Sequence, residues 1–180
     1  MDHARNQRWV LGSFALAKFE KFMVPLAQQL GRLDCQLLTE DSRYMALPQD
    51  DRETESEIMR FDDQLTMSYL WVLGAYELVR SLDQRVRTNS PLLAADDREM
   101  IKKAKRQFTR LRVPLAKMEP SKAFRKSDNE IAYPALVRHH GISWFVAPNV
   151  CITRRELADE LLTLLEQLRR VDPAFSATAS

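Results

Sequence analysis

Side chains able to do chemistry cluster in three places. The first is Glu77, the only charged residue in the stretch TMSYLWVLGAYELV from Thr66 to Val79. A carboxylate on an otherwise apolar helix has to be paired, solvated or protonated. Arg80 follows one helical turn later, at the spacing of an intrahelical ion pair. Inside a pocket, Glu77 would act as general acid or base and Arg80 as an anion clamp. Outside one, the two form a structural pair, with Arg112 and Arg138 as further candidate partners.

The second place is His139 and His140, side by side before Gly141 in ALVRHHGISWF. Neighbouring strand residues point to opposite faces, so the two imidazoles are poorly placed to share a metal. No ligand spacing completes a zinc set with Cys151 or a carboxylate, and no metal is expected. The pair reads as the tip of a turn centred on His140 and Gly141. That turn pairs His139 with Ile142, Val137 with Trp144 and Ala135 with Val146. In the catalytic alternative, His139 or His140 carries a proton for Glu77.

The third place is a run of cations. From Arg98 to Lys126, eleven Lys and Arg stand against Glu99 and Glu119, a local charge of +9. Lys102, Lys103, Lys105, Arg106 and Arg110 lie opposite or beside the apolar stripe of their helix, and form a candidate anion-binding face. From Asp50 to Asp63, seven acids stand against two arginines, a local charge of −5. The two runs either neutralise each other, within the chain or across a dimer, or leave the basic face for an acidic protein or nucleic acid. Only Phe108 and Phe124 interrupt the cations, too few for the stacking surface of a single-strand binder.

These residues need a scaffold, and the pattern of apolar residues predicts a mainly α protein. It predicts a four-helix bundle-like core, with one small β-hairpin between the third and fourth helices, all in one domain spanning 1–180. Leu11, Ala15, Phe19, Phe22, Leu26 and Leu30 give a first helix from Arg5 to Leu30, with Gly31 as its C-terminal cap. Residues 32–56 lose the period and read as a long acidic loop. A second helix starts between Glu55 and Asp63 and reaches Val86. A third runs to Met118, from Ser90-Pro91 or from Asp96 with Glu99, and EPSKAFRKSDNE reads as a linker. Pro134, Gly141 and Pro148 punctuate a hairpin over 131–147. Thr153 and Glu156 form a capping box for the fourth helix. Residues 172–180 read as a flexible tail. The segments FEKFMVPLA and FTRLRVPLA echo one another, and each is read as placing a proline late in a helix.

The chain has 180 residues, a net charge of +2, 45% hydrophobic and 29% charged residues. That balance fits an ordinary globular protein. No apolar run is long enough to cross a bilayer, and no secretory leader is recognisable, so a cytoplasmic protein with no membrane association is expected. Cys35 and Cys151 are expected to be reduced thiols. There is no phosphate-binding glycine loop, GxSxG, HExxH or paired CxxC, and no cofactor is expected. The helical outline resembles the HEPN group of helical ribonucleases. The Arg or Asn shortly before a helical histidine that marks that group is missing before His139 and His140, so the resemblance implies no site residue. The expected function is an interaction module, leaning away from an enzyme, that binds an acidic partner or nucleic acid through its basic face and forms a homo-oligomer. The alternative is an enzyme or small-ligand protein with a pocket between the second helix and the hairpin, built from Glu77, Arg80 and His139.

Overall fold

The computed structural model describes residues 2–89 and 93–170, so the Ser90-Pro91 start signal and the 172–180 tail lie outside the described residues. The architecture is mainly helical, with one small antiparallel sheet. The helices are α1 (His3–Ser13), α2 (Met23–Ala46), the short α3 (Gln49–Arg52), α4 (Glu55–Asn89), α5 (Ala95–Lys117) and α6 (Arg154–Arg170). The five long helices pack in a closed circuit, α1 on α2, α2 on α4, α4 on α5, α5 on α6 and α6 back on α1. This differs from the expected four, because the predicted first helix is two helices. It breaks in a 3-10 turn at Phe14–Leu16 and restarts at Met23. Pro25 is therefore in the first turn of α2, where its missing N–H has no partner to lose. Pro114 lies inside α5, near its end. The two VPLA segments occupy opposite ends of their helices, contrary to the parallel role expected from their echo.

The larger correction concerns residues 32–56. Instead of a long loop, α2 continues through Ala46, and only Leu47–Thr54, with α3 inside it, connects to α4. The buried positions of α2 include Met23, Ala27, Leu30, Asp34, Leu37 and Asp41, at alternating steps of four and three. That is one unbroken helical face. Two of its six positions carry aspartate, which is why hydrophobicity alone loses it. The polar face of this stretch pairs with α4. Arg43 joins Glu57 at 2.7 Å, and Arg60 joins Glu40 at 2.9 Å. Tyr44 stacks on Phe61 with centroids 4.6 Å apart. Within the acidic run Glu57 pairs with Arg43 of α2, and no ion pair joins the run to α5 among the described residues.

Gly31 is no cap. It lies mid-helix, where a Cβ would overlap the Trp9 indole. Trp9 is fully buried and donates its Nε1–H to Asp34 at 3.1 Å. A glycine here lets α1 approach α2 closely enough for that bond.

The sheet has three strands, not two: β1 (Tyr133–Val137), β2 (Gly141–Ala147) and β3 (Val150–Thr153), in the order β1-β2-β3. The observed register pairs Val137 with Gly141, Leu136 with Ile142 and Pro134 with Trp144. The expected pairing of Val137 with Trp144 is off by three positions. The turn consumes Arg138, His139 and His140, with left-handed backbone at His139 (φ 67°) and Gly141 (φ 76°). An odd shift exchanges faces, so Leu136, and not Val137, joins Ile142 and Trp144 on the buried side. The Thr153–Glu156 capping box is present in both directions, at 3.0 and 3.1 Å. Buried apolar residues from all five long helices and from β2 and β3 form one contiguous cluster.

Replacing Gly31 with Ala forces the Trp9 indole or the α1–α2 spacing to move, at a cost of roughly 1–3 kcal/mol. Thermal unfolding followed by circular dichroism is expected to show a clearly lower midpoint for G31A. An unchanged midpoint would contradict the close approach.

Candidate functional site

Two polar constellations stand out, and sequence patterning pointed to only one. The first is buried. Arg154, the opening residue of α6, is fully inaccessible, and its guanidinium bridges α2. Nη1 donates to Asp34 Oδ1 and Nη2 to Asp41 Oδ2, each at 2.8 Å. The two aspartates are seven residues apart, two helical turns on one face. Asp34 Oδ2 also accepts from Arg5 Nε at 2.6 Å and from Trp9. Arg5 continues to Asp159 of α6 at 2.6 Å. Asp41 Oδ1 accepts from Gln64 Nε2 of α4. Burial pushes the Asp41 carboxyl up, while Arg154, the Ile142 amide and Gln64 hold it down. Every oxygen of the two carboxylates is engaged, so neither is a free base, and the constellation is structural.

This network also seats the turn that carries His139 and His140. A Cβ on Gly141 would collide with the Asp41 carboxylate, and the neighbouring Ile142 amide bonds to it. Arg155 Nη1 donates to the His139 carbonyl at 3.1 Å, and the His140 amide donates to Val137 O at 3.0 Å. The turn is fixed through its backbone, while the His139 and His140 side chains are exposed. Glu77 and Arg80 pair with each other at 2.7 Å, with about half of each side chain exposed. Glu77 lines a surface groove with Glu20, Phe22, Leu26 and Arg85, and no hairpin residue shares that lining. The structure therefore does not assemble the expected pocket of Glu77, Arg80 and His139 between the second predicted helix and the hairpin. Arg112 instead lies over the Tyr76 ring, 5.1 Å from its centroid.

The second constellation is a surface groove of about 380 Å³. Lys102, Lys105, Arg106 and Thr109 enter it from α5, at steps of three, one and three along a single helical face. Ile101, Ala104, Phe108 and Leu111 occupy the opposite, buried face. Arg87 arrives from the last turn of α4. Lys122 and Phe124 arrive from a 3-10 turn, which is pinned where a linker was expected. The amides of Ser127 and Asp128 donate to Phe124 O at 3.0 and 2.9 Å, and Asn129 N donates to Val146 O at 2.7 Å. Five cations and no carboxylate line the groove among the described residues.

The predicted basic strip is thereby sorted. Lys102, Lys105 and Arg106 share the groove, and Lys102 also meets Glu99 at 3.3 Å. Lys103 faces the other way, into a crevice between α5 and α6 with Asp159 and Glu160. Burial pushes the Glu160 carboxyl up and Lys103 pulls it back. Arg110 forms a two-pronged pair with Asp128, at 2.7 and 2.8 Å. Arg87 and Lys122 complete the groove from outside α5. Distance along the chain hid Arg87, and the polar linker composition hid Lys122.

Among the described residues no cluster of three His, Cys, Asp or Glu is arranged to hold a metal. Both cysteines are free. Burial raises the Cys35 thiol to about 11, helped by Asp34, and burial also raises Cys151 against a hydrogen bond with Ser143. A raised pKa leaves little of the reactive thiolate at neutral pH. Maleimide labelling of the folded protein is expected to spare Cys35, and both thiols are expected to react in urea. Rapid labelling of Cys35 in the native state would contradict its burial. Comparison of the chain with protein families, with curated proteins and with solved structures gives no match.

Proposed function

We propose that this protein is an interaction module, a single helical domain that binds an anionic partner, nucleic acid or an acidic protein, through the groove between α4, α5 and the 122–124 turn. One observation carries the reading: five cations from three separate parts of the chain line one groove that no carboxylate lines. A solvated helix face needs no such gathering. Clustered cations with low-dielectric walls focus potential and draw in anions. The reading uses no cofactor and no bond-making step.

Self-association is a second reading, favoured by a different face. Met59, Met67 and Leu70 remain at least 40% exposed on α4, although methionine and leucine commonly pack inside. A second copy of this chain would cover them, and sedimentation of M67E/L70E beside the parent protein tests it: a dimer that becomes a monomer supports self-association, and a parent monomer ends it.

Fluorescence anisotropy with a short duplex DNA and with poly-glutamate tests the main reading. Neutralising about four phosphates implies roughly a 100-fold loss of DNA affinity between about 50 and 200 mM salt. The double charge reversal R106E/K122E, at two exposed positions, is expected to abolish binding. Binding of neither polyanion, or binding indifferent to salt and to the reversal, would overturn the proposal.

A further inference from the structure

The groove's cations are held as well as gathered. Asp83 of α4 has only 3% of its side chain exposed and stands behind the groove. Its Oδ2 meets Lys105 Nζ at 2.5 Å and Arg87 Nη2 at 2.8 Å, and its Oδ1 accepts from Arg87 Nε at 3.2 Å. Arg87 is 63% exposed by side chain and yet tethered at both ends of its fork. On the other flank, Asp128 has 1% of its side chain exposed and fixes Arg110. Arg110 lies 4.2 Å from the Phe124 centroid, and Arg106 lies 5.1 Å from it. Asp83 thus braces two of the groove's cations directly, and Asp128 holds Arg110 against the ring of Phe124, which lines the groove.

The braced cations keep donors to spare. Lysine has three N–H groups and arginine five, and Asp83 uses one from Lys105 and two from Arg87. Arg106 and Lys122 have no ion pair among the described residues. Donors converging from several directions suit a tetrahedral oxyanion with several acceptor oxygens better than a planar carboxylate with two. From this arrangement, and resting on the anion-binding reading above, we infer that the groove is a preorganised site for a phosphate group in which Asp83 is a positioning residue. A nucleic-acid backbone and a small phosphorylated molecule present that same group.

Charge alone and positioning predict opposite signs for Asp83→Asn. The substitution removes a negative charge beside the groove, so simple electrostatics strengthens anion binding. If Asp83 positions Lys105 and Arg87, releasing them weakens it, because freed side chains must be ordered again on binding.

The test measures duplex DNA, inorganic phosphate and poly-glutamate binding to the parent, to D83N and to the surface variant R106A/K122A. Expected are a preference for phosphate-bearing probes over poly-glutamate and a loss of about tenfold in both variants. If a small phosphorylated molecule is the source, inorganic phosphate binds once per chain and competes with DNA. If a nucleic-acid backbone is the source, DNA binds far more tightly and phosphate competes only at high concentration. Should D83N fail to fold, Arg87→Lys replaces it. That change keeps the charge but loses the two-pronged hold on Asp83, and the same tenfold loss is expected. D83N (or R87K in its place) binding as well as or better than the parent overturns the inference. So does poly-glutamate matching DNA, an outcome that leaves the broader anion-binding reading standing. No binding of any probe overturns both.

Discussion

The fold turns on a buried arginine. Arg154 has no exposed surface, and its two terminal nitrogens are satisfied by Asp34 and Asp41 of α2. A charge in that position is tolerated only with partners of good geometry. The partners come from far along the chain, so the bond fixes tertiary arrangement more than local structure. It sets the start of α6 against the middle of α2. Through Asp41 it seats Gly141 and the start of β2, and through Asp34 it recruits Arg5 and Trp9 of α1. With Gln64 of α4 on Asp41, five parts of the chain are joined by one set of hydrogen bonds. The apolar core supplies most of the driving force, while the network specifies which faces meet.

The same device recurs at smaller scale around the basic groove. Asp83 ties α4 to α5 through Lys105, and Asp128 ties the 118–132 segment to α5 through Arg110. In each case a nearly buried carboxylate carries the constraint, while Lys102, Arg106 and Lys122 stay outward. The apolar face of α5, with Phe108 tilted against Trp71 at 6.2 Å, locks the helix so that Lys102, Lys105 and Arg106 open toward one groove. A rigid helix face with external braces loses less freedom on capturing a ligand than a flexible basic tail would.

How far the chain reveals this from residue order alone depends on what occupies the buried positions. Where isoleucine, leucine and phenylalanine fill them, as at Ile101, Phe108 and Leu111 of α5 or Leu157, Leu161 and Leu168 of α6, helix and inward face are legible. The Thr153–Glu156 cap was legible too, because it is a local exchange of two hydrogen bonds. Where Asp34 and Asp41 take the apolar positions of α2, the period vanishes from a hydrophobicity count, and residues 32–46 of the helix read as loop. Aspartates seven apart, continuing the spacing of Ala27 and Leu30, were the available signal. The sheet register failed for a related reason. The expected turn is centred on His140 and Gly141, whereas Asp41, remote in sequence, anchors a turn that consumes Arg138, His139 and His140. Of the candidate residues, Lys102, Lys105 and Arg106 were readable from charge and helical spacing. Arg87, Lys122 and the braces Asp83 and Asp128 come together only in three dimensions.

The most direct test of this account is urea unfolding of Arg154→Met, with amide exchange at Ile142 followed in parallel. Methionine fills much of the volume but leaves Asp41 buried without its cation. The predicted result is a loss of about 3–5 kcal/mol of stability and much faster exchange at Ile142. Stability within about 0.5 kcal/mol of the parent, with Ile142 still protected, would show that the buried arginine does not hold the fold together.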